Sequence, residues 1–565
     1  MNNDSKINQS LRRYFGFESF RLGQDRIINS VLRRRNVMAV LPTGGGKSLC
    51  YQLPALMMPG SALVISPLIS LMKDQIDALA ARNIPATFIN SALPWQEISE
   101  RMRNAVDGRY KLIYIAPERL ESNLFRRILS EIDVSFMAID EAHCISEWGH
   151  DFRPAYLKIR QALQIKPDMP VIALTATATP EVRRDIARQL GMDDMEIFLS
   201  GFDRPNLRFV TEYTQDKSAR LAEICRRSPG QSIIIYCGSR RRVEQFAAEL
   251  NAEKIKCEIY HAGLAPLVRK RAQERFISGD TAIIAATSAF GMGIDKRDVR
   301  KVIHVDYTQT LEQYYQEAGR AGRDGLPADC ILLYNSADRR LQEFFLRMTH
   351  PERQDILRVY DALKQFTATP GARTDARAED LIADYAEVPR GVCSSALRIF
   401  EKSGILRRSG GGTSGRIRFT SDRERVREYY SNVNDYRRNA LEGLLRSVPS
   451  SAFSNWISFD PGRITRDHML NPEEFRKALK AFRFAGLIDY ELPPPAGSLS
   501  LEFAGPVNRL PIEWKELEKR RSHSESKLET AIEYAVTHEC KRNFILRYFG
   551  AEAKVGCGNC SSCNE

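Results

Sequence analysis

Twice along the chain, short runs of β-branched and other apolar residues alternate with stretches of helical periodicity, and this repetition restricts the fold more than any other feature. The runs NVMAVL, SALVISP, KLIYIAP, FMAIDE and VIALTAT lie between residues 36 and 177, and SIIIYC, KCEIYH, TAIIAAT, KVIHVD and DCILLY between 232 and 334. Continuous apolar strands belong to sheets covered on both faces, and strands separated by helices pair in parallel. Two α/β lobes are therefore expected, over residues 1–200 and 201–348.

With 565 residues the chain can bury several cores, and its 27% charged and 43% hydrophobic residues are ordinary globular values. No apolar run approaches the ~18 residues that cross a bilayer, so no membrane association is expected. The opening MNNDSKINQSLRRYF lacks the apolar segment of a secretory signal, so a reducing cytoplasm is expected, or a nucleoid if the source is bacterial, with the eleven cysteines unlinked. The net charge of +12 favours a polyanionic partner.

The first strand runs into LPTGGGKS. Thr43, Gly44, Gly45 and Gly46 suit a backbone turn around phosphate, Lys47 sets an ammonium on the outer oxygens, and the Ser48 hydroxyl suits magnesium. The usual phosphate-loop pattern has a glycine where Leu41 stands. A second strand ends in MAIDEAH, where Asp140 can hold magnesium and Glu141 can orient or deprotonate the attacking water. In the second lobe, Arg320 and Arg323 of QEAGRAGRDG suit delivery of a cation from across a cleft onto the transferring phosphoryl group. Together the three motifs predict a nucleotide hydrolase.

FRLGQ, LPTGGGKS, SPLISLMKDQ, APERL, DEAHCISEWGHDFRP, LTATAT, IIIYCGSRRRVE, ATSAFGMGIDKRDVR and YYQEAGRAGRDG occur in that order. Residues 11–334 thereby resemble the two-lobed motor of superfamily-two helicases, and specifically the RecQ family of DNA helicases. The resemblance implies RecA-like lobes and a catalytic set of Lys47, Asp140, Glu141, His143, Arg320 and Arg323. In FGFESFRLGQ it implies adenine recognition by Gln24, assisted by Arg21, with Phe17 stacking on the base where the family often has tyrosine. It also implies that Asp295 contacts nucleotide and Thr287 nucleic acid.

After the carboxylate pair, Trp148, Phe152 and Tyr156 alternate with His143, His150 and Arg153, and the Gly, Pro and acidic residues among them predict a partly exposed loop rather than a buried strand. Aromatics there can stack on bases for roughly 1–3 kcal/mol each. The segment resembles the RecQ aromatic-rich loop, to which the family assigns the coupling of bound DNA to hydrolysis. Trp148, His150, Phe152 and Arg153 are therefore candidate nucleic-acid contacts.

Beyond residue 349, SSALRIFEKSGILRR and RKALKAFRFAGLIDY repeat one pattern of apolar helix, capping glycine and strand. Two winged-helix-like domains are expected, over 349–428 and 429–508. The first carries Arg407, Arg408, Arg416 and Arg418 and suits phosphates, whereas the second carries Asp489, Glu491 and Glu502.

Cys540, Cys557, Cys560 and Cys563 are separated by sixteen, two and two residues, a set suited to a closed tetrahedral zinc site. A redox pair needs only one Cys-x-x-Cys. The segment 509–565 resembles the RecQ zinc module, which in that family usually follows the motor closely with a winged helix after it. Here the wing-like pair comes first, so it is expected to be an insertion, with the zinc module folding back against the second lobe near Tyr334–Met348.

The expectation is an ATP-, magnesium- and zinc-dependent DNA helicase, a monomer acting on single-stranded and tailed or branched duplex DNA, with 3′–5′ polarity implied by the resemblance alone. An RNA helicase with the same motor and a DNA-binding scaffold with a vestigial motor are the rival readings.

Overall fold

The computed structural model describes every residue other than 1–2, 22, 91–92, 150, 292–293, 295, 369–377, 409–414, 469, 493–498, 504, 554–555 and 565. The chain divides into two compact units, residues 1–343 with 522–565, and residues 344–521.

In the first unit, β1 (Val37–Val40), β2 (Ser61–Ile65), β3 (Ala86–Ile89), β4 (Leu112–Ile115), β5 (Val134–Ile139), β6 (Val171–Thr175) and β7 (Glu196–Leu199) form a sheet in the order β3-β4-β2-β5-β6-β1-β7. A second sheet has the order β10-β11-β9-β12-β13-β8, from β8 (Leu207–Tyr213), β9 (Ser232–Tyr236), β10 (Cys257–Tyr260), β11 (Ile283–Ala286), β12 (Val299–His304) and β13 (Ala328–Tyr334). All these ladders are parallel. The expected runs are the central strands, buried over most of their length, and β10. β3, β7 and β8 were not anticipated: they are edge strands with one face half-exposed, so they lack a continuous apolar run. Helix α1 (Leu49–Met57) follows the glycine-rich turn of the first lobe, and α2 (Leu311–Ala318) precedes the arginine turn of the second.

In the second unit, α3 (Arg353–Ala368), α4 (Ala378–Tyr385) and α5 (Arg390–Lys402) precede β14 (Leu406–Arg408) and β15 (Gly415–Phe419). Then come α6 (Asp435–Ser447), β16 (Ile457–Phe459), α7 (Pro461–Asp467), α8 (Pro472–Phe484), β17 (Ile488–Glu491) and β18 (Leu499–Leu501). The internal repeat is visible in the backbone. α5 and α8 end at Gly404 (φ +69°) and Gly486 (φ +70°), and Ile405 and Leu487 donate back to Phe400 and Phe482 (2.8 and 2.9 Å).

The strands pair differently from two consecutive wings. β14 pairs with β18, while β15 lies between β16 and β17. The core around Phe400 therefore gathers residues 356–406 and 499–512, the core around Phe482 gathers residues 417–490, and the expected boundary at 428/429 falls inside the second. Charge explains the exchange. A β14–β15 hairpin would face Arg407 and Arg408 toward Arg416 and Arg418, whereas the observed register sets Arg416 opposite Glu491 and Arg418 opposite Asp489. The second winged helix is thus a contiguous insert in the first.

Residues 522–565 of the expected zinc module belong with the lobes, whereas residues 509–521 of it pack in the second unit. Arg542 donates to the carbonyls of Pro205 (3.1 Å) and Leu207 (2.9 Å), Thr211 N donates to Ser561 Oγ (3.2 Å), and Tyr534 packs on Tyr314 of α2. Its contacts centre on β8 and α2, with Arg339–Glu529 as the link to the expected 334–348 segment. Arg183 of the first lobe also donates to Phe549 O (3.2 Å).

Candidate functional site

The glycine-rich turn is held from the segment before it. Gln24 Nε2 donates to the carbonyls of Gly45 (3.2 Å) and Gly46 (3.1 Å), its Oε1 accepts from Arg21 N (2.9 Å), and the Arg21 guanidinium donates to Gly44 O. Gly44 and Gly46 have left-handed φ of +76° and +77°, and a Cβ on Gly46 would lie 2.4 Å from Gln24 Nε2. Glycine is therefore required there. Lys47 and Ser48 lead into α1, where a helix start favours anions. Phe17 is exposed and stacks against Phe15.

Asp140 ends β5, buried, and its backbone carbonyl accepts from the Tyr156 hydroxyl (3.0 Å). Glu141 takes a left-handed φ of +48°, a costly conformation for a non-glycine residue that re-aims its carboxylate. Burial, and then the neighbouring Glu141 carboxylate, push the Asp140 carboxyl up from its ordinary range, with Lys47 opposing. A bound cation would offset both effects. His143 is buried, with Nδ1 3.3 Å from Glu141 Oε2 and 3.0 Å from Thr175 Oγ1, so it joins the carboxylates to the end of β6.

From the second lobe, Arg320 is buried beneath Gly291, and Arg323 donates to Ile294 O (2.7 Å) while its Cγ lies 3.3 Å from the Cβ position of Gly44. One cavity of about 720 Å³ is lined by Phe17, Gln24, Lys47 and Ser48, by Asp140 and Glu141, and by Arg320 and Arg323. Its size and lining suit a nucleoside triphosphate. With Thr43 and glycines 44–46, the residues expected at the nucleotide thus converge, except Asp295, which lies outside the described residues.

Sequence reading missed Arg204. It donates to Thr43 O (3.2 Å) in the first lobe and to Ala321 O (3.1 Å) and Gly322 O (2.9 Å) in the second, clamping the phosphate turn to the arginine turn. Its motif, FDRPN, has no periodicity that would mark it.

The aromatic segment is partly packed. Trp148 meets His523 edge to face at 4.8 Å, and Lys527 Nζ donates both to Trp148 O and to Glu312 of α2 (2.6 Å each). The zinc-module helix Trp514–Val536 thus touches both the aromatic segment and the helix that carries the arginine turn. Phe152 is half-buried, and Arg153 donates to Pro67 O (3.0 Å) and pairs with Asp151. His150 lies outside the described residues. Thr287 follows β11 and accepts from Ala289 N (3.4 Å).

The wing arginines expected to meet phosphates are largely engaged. Arg416 pairs with Glu491 (2.8 Å) and Arg418 with Asp489 (3.7 Å), both over the Trp456 ring. Arg408 lies between Glu379 and Glu401 (2.5 Å each). Arg407 is exposed. Arg416 and Arg418 of the basic copy thus face Glu491 and Asp489 of the acidic one across a single ladder.

The four thiols of Cys540, Cys557, Cys560 and Cys563 lie within 4.8 Å of one another, with Sγ pairs at 3.9 Å (Cys540–Cys560) and 4.0 Å (Cys557–Cys563). A tetrahedron with Zn–S bonds of about 2.3 Å has S···S edges of about 3.8 Å, whereas a disulfide needs about 2.05 Å. The donor set fits zinc.

Comparison with known proteins gives the same picture. Residues 21–186 match the DEAD/DEAH box helicase model, 216–325 the helicase conserved C-terminal domain and 507–564 the RecQ zinc-binding domain. The structure of the DUF1998 helicase MrfA bound to DNA and AMPPNP aligns with TM-score 0.50 at 19% identity, covering 61% of this chain and 52% of that one, a likeness of fold. Fold and site thus place the chain in the class of proteins with a two-lobed helicase core. The ATP-dependent DNA helicase RecQ of Bacillus subtilis (strain 168) is 49% identical over 347 residues, 61% of this chain and 59% of that protein. The probable ATP-dependent DNA helicase RecS of the same organism is 40% identical over 391 residues, 67% of this chain and 76% of that protein. The chain belongs to the RecQ family. It spans less than two thirds of the length of several RecQ proteins that it matches, 59% and 52% for those of Haemophilus influenzae and Pasteurella multocida.

Among the described residues, no helix is long and apolar enough to cross a membrane.

Proposed function

We propose that the chain hydrolyses ATP and uses the energy to translocate on DNA and unwind duplexes, with 3′–5′ polarity, in DNA recombination, repair or replication. The observation that carries this reading is the single cavity into which Lys47, Asp140 and Glu141 project from one lobe and Arg320 and Arg323 from the other. Gln24 and Arg21 would read adenine while bracing the phosphate turn, and Phe17 would stack on the base. Ser48 and Asp140 would hold magnesium, which supplies charge neutralisation on the phosphates. Glu141 would take the proton of the attacking water, with His143 fixing its carboxylate. Lys47, Arg320 and Arg323 would oppose the charge that develops on the equatorial oxygens. Lobe closure then matters because the arginines act only when Gly44 and Arg323 approach. Trp148, Phe152 and Arg153 would report DNA to Asp140 through the short connection that joins them. Zinc on the four cysteines would be structural, since a four-thiolate site leaves no position open for chemistry.

Strand displacement on 3′-tailed, 5′-tailed and RNA duplexes, with ATP turnover measured alongside, tests this. Displacement of the 3′-tailed DNA duplex with DNA-stimulated turnover is expected. Stimulation by RNA alone would establish the RNA-helicase reading, and absence of turnover a scaffold.

A further inference from the structure

Two independent observations meet on α8 of the inserted winged helix. Phe484, its last residue, is 97% exposed, whereas among the described residues the next most exposed large apolar side chain, Tyr385, is 62% exposed. Its neighbour Phe482 is fully buried, so the exposure follows from helix phase rather than from a frayed end. The second observation is charge. Arg476, Lys477, Lys480 and Arg483 are exposed around Phe484, while Phe475, Ala478, Leu479 and Phe482 form the opposite, buried face. Spacings of three and four residues put Lys477, Lys480 and Phe484 in one row. The acids of this helix, Glu473 and Glu474, are confined to its first turn. Among the described residues, Arg483 pairs with Asp489 (2.7 Å), and no carboxylate pairs with Arg476, Lys477 or Lys480.

A solvated helix face explains the cations but not a phenylalanine placed among them. Polyanions with apolar surface between their charges match both, and nucleic acid is the polymer of that kind. α8 packs on α6 and α7 and is the last helix of the insert. A helix so presented fits the major groove of B-form DNA, about 12 Å wide, with phosphates on both walls and thymine methyl groups on its floor.

We propose that α8 is a duplex-DNA interface in which Lys477 and Lys480, flanked by Arg476 and Arg483, neutralise phosphates and Phe484 makes apolar contact with bases. This deepens the helicase reading above and rests on it. It also moves the phosphate contacts of the insert from Arg416 and Arg418, which the ladder neutralises, to α8.

The test is the salt dependence of duplex binding by the full chain without nucleotide. Each phosphate contact contributes about 0.9 to the slope of log K against log salt. Lys477→Ala/Lys480→Ala should therefore flatten the slope by about 1.8. Phe484→Ala should weaken binding roughly tenfold at unchanged slope, because it removes no counterion-releasing contact. Arg416→Gln should leave the slope as it is. Lys480→Ala alone, expected to change the slope by about 0.9, carries the test should the double variant lose its parental melting temperature. An unaltered slope in the lysine variants, or an equal change in Arg416→Gln, would overturn the proposal and leave an acidic protein as the partner of this face. Single-strand-stimulated ATP turnover of the parent reports the motor separately. Its absence would sink the helicase reading while the slopes, which need no turnover, still judge α8.

Discussion

Lys47 and Glu141 line the same cavity, and in the proposed reading they would act on different atoms, the transferring oxygens and the attacking water. Lys47→Ala or Glu141→Gln should lower ATP turnover at least about a hundredfold, with single-strand affinity kept within a few fold, and parental turnover in either variant would refute the assignment. Arg204 yields a sharper expectation, because apart from Asn206 Oδ1 (3.5 Å) it donates to backbone carbonyls of the two turns. Arg204→Ala should slow hydrolysis roughly ten- to a hundredfold with little change in the Kd for ATP, and Arg204→Lys should restore little, since one ammonium cannot span three carbonyls. An effect on ATP affinity alone would make it a binding residue. The contrast shows what the sequence discloses at this scale. The convergence of Lys47, Asp140 and Glu141 on one cavity is legible because each is fixed by local order after a strand. Arg204 is not, because its partners lie 161 and 117 positions away and are carbonyls, which every residue has.

At the scale of elements, the repeated helix, glycine and strand were legible because the cap is a local device, and both copies form it. The pairing of the strands was not. Short strands such as β14 and β15 carry too few side chains to declare a partner, and the choice rests on charges 75 positions apart. The ladder makes a prediction of its own. Arg416→Glu should destabilise the insert by about 0.5–1 kcal/mol through repulsion from Glu491, and adding Glu491→Arg should recover most of that loss in a double-mutant cycle. Strict additivity of the two substitutions, measured by chemical denaturation, would show that the pair contributes nothing. The buried contact of Lys527 with Glu312 is of another order. Lys527→Ala leaves a carboxylate that is 1% exposed without its cation and should cost about 3–5 kcal/mol.

At the scale of the molecule, the zinc module closes the unit that contains the motor. Phe549 stacks on Phe202 at 4.9 Å, and Tyr534, Phe544 and Ile545 join the same core as Ile139 and Tyr315. Cys557→Ser should therefore release the metal, lower the melting temperature of the motor and reduce ATP turnover along with DNA binding, at a cost of several kcal/mol. Retention of one equivalent of zinc, or its loss with parental melting and turnover, would contradict this. Residues 522–565 complete a body begun by residues 1–343, and the other unit lies between them in the chain. On a ribosome adding about 5–20 residues per second, the intervening 344–521 segment takes on the order of ten to thirty seconds to emerge. Throughout that interval Tyr534 and His523, which meet Tyr314 and Trp148 in the folded chain, have yet to be made. A pause within the intervening segment would lengthen that interval without changing one residue of the finished protein.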